Sequence, residues 1–199
     1  MYAFIGKIAT MILTTFSKIS VKNIEHLPKD TGYIIACNHT SWVEIFGLGV
    51  AILPRQIHFM AKKELFNNKY VGKFLSSLNA FPVDRENPGT SSIKIPVNRL
   101  KDGNVVGIFP SGTRDESAPL KRGVVTIANL AKVPIIPCAY TGPTNVKEIL
   151  KRKKINVIIG EPMYVNVRGK DALLEKTEEL SDRIQNLEWE IILLGSVKV

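Results

Sequence analysis

Four short runs in this chain are apolar almost from end to end: Tyr33–Cys37, Val105–Phe109, Ile135–Tyr140 and Ile155–Ile159. A strand that faces water on one side alternates apolar and polar residues. These runs do not alternate, so both of their faces must be covered, as in the interior of a parallel sheet. Covering both faces takes helices, and the segments between the runs supply them. Ile45, Leu48, Gly49 and Ile52 recur at helical spacing up to Pro54. Further helices are predicted over 69–78, over 90–101 despite Pro96, over 124–132 and over 171–194. The last has an apolar face through Leu173, Leu180, Ile184, Leu187 and Ile191. Strands at 21–24, 57–61 and 79–83 complete the alternation. A chain of 199 residues can bury one full core. The expected fold is α/β: a single domain with a mainly parallel or mixed central sheet flanked by helices.

The N-terminus reads differently. From Met1 to Ser17 there is no acid, and Phe4, Ile8, Met11, Ile12 and Thr15 share one broad helical face, with Lys7 and Lys18 adding charge. The stretch is shorter than the roughly 20 residues a membrane span needs, and no clean small-residue cleavage site marks it as a signal peptide. An interfacial amphipathic helix fits, and a helix packed on the core is the alternative. Residues 1–20 are therefore set apart as a membrane-associating helical segment, and 21–199 as the folded domain.

The formal charge of +9 favours an anionic partner: a lipid surface, an acidic carrier or a nucleic acid. The basic runs lack the interleaved aromatics of single-strand nucleic-acid binders, so nucleic acid is not expected. Cys37 and Cys138 sit in apolar runs and read as buried thiols of a reducing compartment. His26, His39 and His58 are dispersed without metal-site spacing, so no metal is expected.

Chemistry-bearing residues fall just after strands, where sites collect in this architecture. His39 follows the first apolar run, and Glu44 lies five residues on. Histidine can take a proton from an attacking alcohol, and a carboxylate on its other nitrogen fixes the tautomer. On a continuous helix the two would lie about 140° apart, so the pair works only if the chain bends between them. Asn38–Ser41 allows that, with Thr40 or Ser41 capping the helix and Glu44 in its first turn. Two basic loops follow. Arg85 and Arg114 can each hold a phosphate through paired donors. Gly112 lets an anion approach the backbone, and Ser111 and Thr113 add hydroxyls. Lys62 and Lys63 add charge. The loop 110–122 matches neither a nucleotide-binding nor a hydrolase pattern.

Four blocks in order resemble the lysophosphatidic acid acyltransferase family, the bacterial PlsC-type glycerophospholipid acyltransferases. The first is Asn38-His39 with Glu44, similar to Asn-His-x4-Asp. The second is Phe81-Pro82-Val83-Asp84-Arg85, the third Phe109-Pro110-Ser111-Gly112-Thr113-Arg114, and the fourth Val133-Pro134-Ile135-Ile136-Pro137. The resemblance implies acyl transfer to the sn-2 hydroxyl of 1-acyl-glycerol-3-phosphate. The donor would be a thioester of acyl carrier protein or coenzyme A, with no cofactor. It implies His39 as general base and Glu44 in the role of the family's aspartate. Lys62, Lys63, Arg85, Ser111, Gly112, Thr113 and Arg114 would hold the acceptor, on the cytoplasmic face of the cell membrane. Two positions depart from the pattern: Glu44 stands for aspartate, and Ser111 for the glutamate of the third block. They leave room for glycerol 3-phosphate or another lysolipid as acceptor, or for a non-catalytic lipid-binding scaffold.

Overall fold

The computed structural model describes residues 17–84, 89–112 and 120–196. Seven strands form one mixed sheet: β1 (Ile19–Lys22), β2 (Tyr33–Cys37), β3 (Ile57–Lys62), β4 (Phe81–Val83), β5 (Val105–Ile108), β6 (Ile135–Thr141) and β7 (Ile155–Ile159). Their order is β1-β7-β6-β2-β5-β3-β4. β6, β2, β5, β3 and β4 pair in parallel. β7 lies antiparallel to β6, with β1 parallel to β7. The helices are α1 (Val43–Ala51), α2 (Lys69–Ser77), α3 (Ser91–Lys101), α4 (Gly123–Ala131), α5 (Val146–Leu150) and α6 (Lys170–Ser196).

The absence of alternation in β2 has the expected cause. Ile34 and Ala36 point into a core shared with Leu100 of α3, Val124 and Ala128 of α4, and Leu180 of α6. Tyr33, Ile35 and Cys37 point into the opposite core, against Leu48 of α1 and Ile52. Every residue of β2 is buried. The sheet is thus the middle of three layers.

Two local expectations change. β1 starts at Ile19 rather than Val21, because pairing of Ile19 with Ile155 sets its register and Asn23, in the left-handed region at φ 58°, ends it. α1 starts at Val43, a residue or two later than expected, and the Trp42 side chain before it makes no cap. A short helix not foreseen from the sequence, α5, spans Val146–Leu150. Asn145 Oδ1 accepts from the Glu148 amide, and Glu148 Oε2 accepts from the Thr144 amide at 2.9 Å and from Lys153 Nζ at 2.9 Å. The N-terminal segment, up to residue 16, lies outside the described residues. Among the described residues no helix is long and apolar enough to cross a membrane.

Cys37 and Cys138 are register partners on β2 and β6, and both are buried as free thiols. Burial pushes the Cys37 thiol well above its ordinary range, and the neighbouring Cys138 thiol adds to the effect. A protonated, buried thiol is a poor nucleophile. We expect neither cysteine to react with a thiol reagent such as dithionitrobenzoate in the native protein, and both to react once it is denatured. Rapid native labelling would show that the sheet opens here.

Candidate active site

The parallel strands β2, β5, β3 and β4 end side by side, and each end delivers part of the site. β2 delivers His39. Asn38 secures that end: its side chain accepts from the Tyr140 amide at 2.8 Å and donates to the Tyr140 carbonyl at 3.2 Å, so it ties β2 to β6 just past the strand.

The chain then bends, and Glu44 holds the bend. Glu44 lies in the first turn of α1 and is fully buried. Its Oε2 accepts from the Thr40 amide at 2.8 Å, the Thr40 hydroxyl at 2.9 Å and the Ser41 amide at 3.1 Å. Its Oε1 accepts from His39 Nδ1. Ser41 Oγ accepts from the Val43 amide at 3.1 Å. Ser41 thus caps the start of α1 as expected, while Glu44 reaches back to the Ser41 amide. The Thr40 and Ser41 amides point back at the carboxylate, which turns the chain through the angle that a straight helix would not allow. A carboxylate only accepts, so a ring proton sits on His39 Nδ1, and in the neutral ring Nε2 is the atom left to accept a proton.

The end of β5 fixes the plane of the imidazole. Phe109 stacks on His39 with ring centres 4.2 Å apart and planes 20° apart. Phe59 lies nearly parallel behind it, 5.9 Å from Phe109. Phe59 has room because its register partner on β5 is Gly107. A Cβ there would stand 2.6 Å from the Phe59 ring. One hydrogen bond and one stack thus hold His39 about two different axes.

His39 opens onto a cleft of about 670 Å³. Ile45, Phe46, Phe74, Leu75, Leu78 and Ala80 line it, and Lys62 stands on its wall. A second cleft of about 400 Å³ lies beyond Met60, Phe109 and Gly112, which border both. Gly112 adopts φ +67°, a conformation that favours glycine. Its amide donates to Phe109 O at 2.9 Å, and the Lys121 amide donates to Pro110 O at 2.9 Å. The two ends of the loop are held together, with the Lys121 side chain against Gly112.

Of the residues singled out from sequence, His39, Glu44, Lys62 and Gly112 gather around the cleft. Ser111 sits in the turn between Pro110 and Gly112. Lys63 Nζ stands 2.5 Å from Asp84 Oδ2, beside the second cleft. Arg85, Thr113 and Arg114 lie outside the described residues. Sequence reading missed the ring stack and the role of α2 as a cleft wall. The spacing of Val71, Phe74, Leu75 and Leu78 was the available signal for the second.

The chain matches the Acyltransferase family model over residues 18–141. It therefore belongs to the acyltransferase family and is an enzyme of that class. The 1-acyl-sn-glycerol-3-phosphate acyltransferase of Bacillus subtilis is 52% identical over 193 residues, covering 94% of this chain and 97% of that one. The enzyme of the same name from Streptococcus pneumoniae is 36% identical, over 92% of this chain and 70% of its own. The crystal structure of PlsC, the 1-acyl-sn-glycerophosphate acyltransferase of Thermotoga maritima, shares the fold at a TM-score of 0.71. Its sequence identity is 23%, and the match covers all of this chain and 81% of that one.

Removing the Glu44 side chain strands two amides and the His39 N–H in a buried pocket. We expect Glu44→Ala to lower unfolding stability by about 3 to 5 kcal/mol, and Glu44→Gln by clearly less, because it keeps an acceptor in place. Urea denaturation of both variants checks this. Equal, small losses would mean that the bend holds without the carboxylate.

Proposed function

We propose that this enzyme transfers a fatty acyl group from a thioester of acyl carrier protein or coenzyme A to the sn-2 hydroxyl of 1-acyl-glycerol-3-phosphate. The observation that carries the reading is a tautomer-fixed histidine at the mouth of an apolar cleft. His39 Nε2 removes the proton as the hydroxyl oxygen attacks the thioester carbonyl. Glu44 stabilises the imidazolium that forms. The tetrahedral intermediate collapses, the carbon–sulfur bond breaks, and the proton passes from His39 to the departing thiolate. Ester and thiol are the products, and neither a metal nor a cofactor takes part.

The acceptor phosphate binds among Lys62, Lys63, Arg85, Ser111, Gly112, Thr113 and Arg114, with the Lys121 ammonium adding charge beside Gly112. The apolar cleft takes an acyl chain. The longer arm of Glu44 suits a carboxylate that must reach both His39 and the Thr40–Ser41 amides. The basic, acid-free segment that precedes β1 attaches the enzyme to the cytoplasmic membrane face. Ser111, which carries no charge, is the feature that favours testing glycerol 3-phosphate and phosphate-free lysolipids beside lysophosphatidate.

Thiol release from acyl thioesters, with lysophosphatidate as acceptor, tests the reaction. His39→Ala should lose about 10²- to 10⁴-fold in kcat while remaining folded. Undiminished, acceptor-dependent release in that variant would remove His39 from the mechanism. A second assay tests the cleft. Ala80→Leu adds three carbons to the wall, and the preferred thioester should become shorter. An unchanged chain-length profile would place the acyl chain elsewhere.

A further inference from the structure

The outer face of α2 is apolar and turned to water. Tyr70 is 86% exposed and Phe74 48%, and the two stand one helical turn apart with Val71 beside them. The face continues onto Leu65, in the turn before α2, and onto Trp42, 44% exposed, at the start of α1. Trp42, Leu65 and Phe74 also line the cleft onto which His39 opens. The exposed apolar surface is thus the rim of the catalytic cleft and not a separate patch.

This face is built to stay in place. The Asn68 side chain caps α2, accepting from the Tyr70 and Val71 amides at 3.0 and 3.2 Å. Gly72, on the opposite side of the helix, is buried against the Phe66 backbone, which sets the rotation of α2. Soluble proteins seldom display such a contiguous patch unless something covers it. The charge beside it indicates what. Residues 62–78 carry Lys62, Lys63, Lys69 and Lys73 against the single acid Glu64, and Lys69 and Lys73 flank the apolar stripe one turn apart.

We propose that Trp42, Leu65, Tyr70, Val71 and Phe74, flanked by Lys69 and Lys73, form a membrane-docking face that seats the mouth of the cleft against an anionic bilayer. It is separate from the N-terminal segment and acts on its own account. Aromatic rings at the surface with lysines beside them match the boundary between headgroups and acyl chains. At nine residues, α2 can lie in that boundary but cannot span the bilayer. An acidic carrier protein would be met by the charges alone, and here the charges flank a stripe of exposed rings. The inference rests on the acyl-transfer reading in one respect: a lipid acceptor then passes from the bilayer into the cleft without crossing water.

The chain has two tryptophans, Trp42 and Trp189, and Trp189 is exposed on α6. The full chain carrying Trp189→Phe leaves Trp42 as the sole reporter. It is mixed with phosphatidylcholine–phosphatidylglycerol vesicles, with and without brominated acyl chains. We expect Trp42 fluorescence to shift to the blue and to be quenched by the brominated lipid. Adding Tyr70→Asp and Val71→Asp should weaken both vesicle binding and quenching by about tenfold or more. These acids fall in the first turn of α2, where a helix tolerates them, so circular dichroism should be unchanged.

Protein that sediments with vesicles while Trp42 stays unquenched would overturn the proposal, because attachment would then run through other residues. So would protein that does not bind, or Trp42 shielded by acyl carrier protein and not by lipid. Thiol release measured in parallel separates the two readings. Quenched Trp42 without acyl transfer would leave the docking face standing and remove the reaction. Acyl transfer with unquenched Trp42 would do the reverse.

Discussion

The buried carboxylate of Glu44 is the constraint on which the site depends. It takes four donors at once: His39 Nδ1, the Thr40 amide and hydroxyl, and the Ser41 amide. A buried acid is tolerable only when its lone pairs are used in this way. The same four bonds that make it tolerable also bend the chain between β2 and α1 and select the histidine tautomer. Structure and chemistry therefore share one group, and a change at Glu44 acts on both.

Around that group the fold supplies rigidity from two sides. Asn38 ties the end of β2 to β6, so the turn leaves the sheet from a fixed point. The rings of Phe59 and Phe109 stack up to His39 from the β3–β5 side, with Gly107 providing the space. The imidazole is thus positioned by three neighbouring strands. The cleft beside it has walls from α1, α2 and β3, elements that meet only because β3 sits next to β5. Its rim carries exposed rings and lysines, which join the chemistry of the site to the surface from which a lipid would come.

Much of the architecture was legible before any coordinates. Continuous apolar runs announced strands buried on both faces, and β2, β6 and β7 fall within a residue of the expected bounds. The α/β class and the flanking helices followed from the same pattern. What was misread has physical causes. β1 is placed by its pairing with β7, a partner more than a hundred residues away, and local sequence carries no mark of that register. The start of α1 was put at Thr40 or Ser41 because hydroxyl residues often cap helices. Ser41 Oγ does accept from the Val43 amide, but the Glu44 carboxylate holds the Thr40 and Ser41 amides in the bend, and the helix starts at Val43.

By itself the sequence determined the sheet-and-helix alternation, the placing of His39 and the Gly112 turn just after strands and of Lys62 at a strand end, and the excess of positive charge. These depend on local apolar patterning and on residue identity, which a linear chain displays. The tertiary structure alone decided that His39 Nδ1 meets Glu44, that Phe59 and Phe109 stack behind the ring, and that Lys63 stands on Asp84. It also decided that α2 closes the cleft with its outer rings facing water. Each of these contacts depends on strand order and register. Those are set by how distant segments pack together, and no short window of sequence contains them.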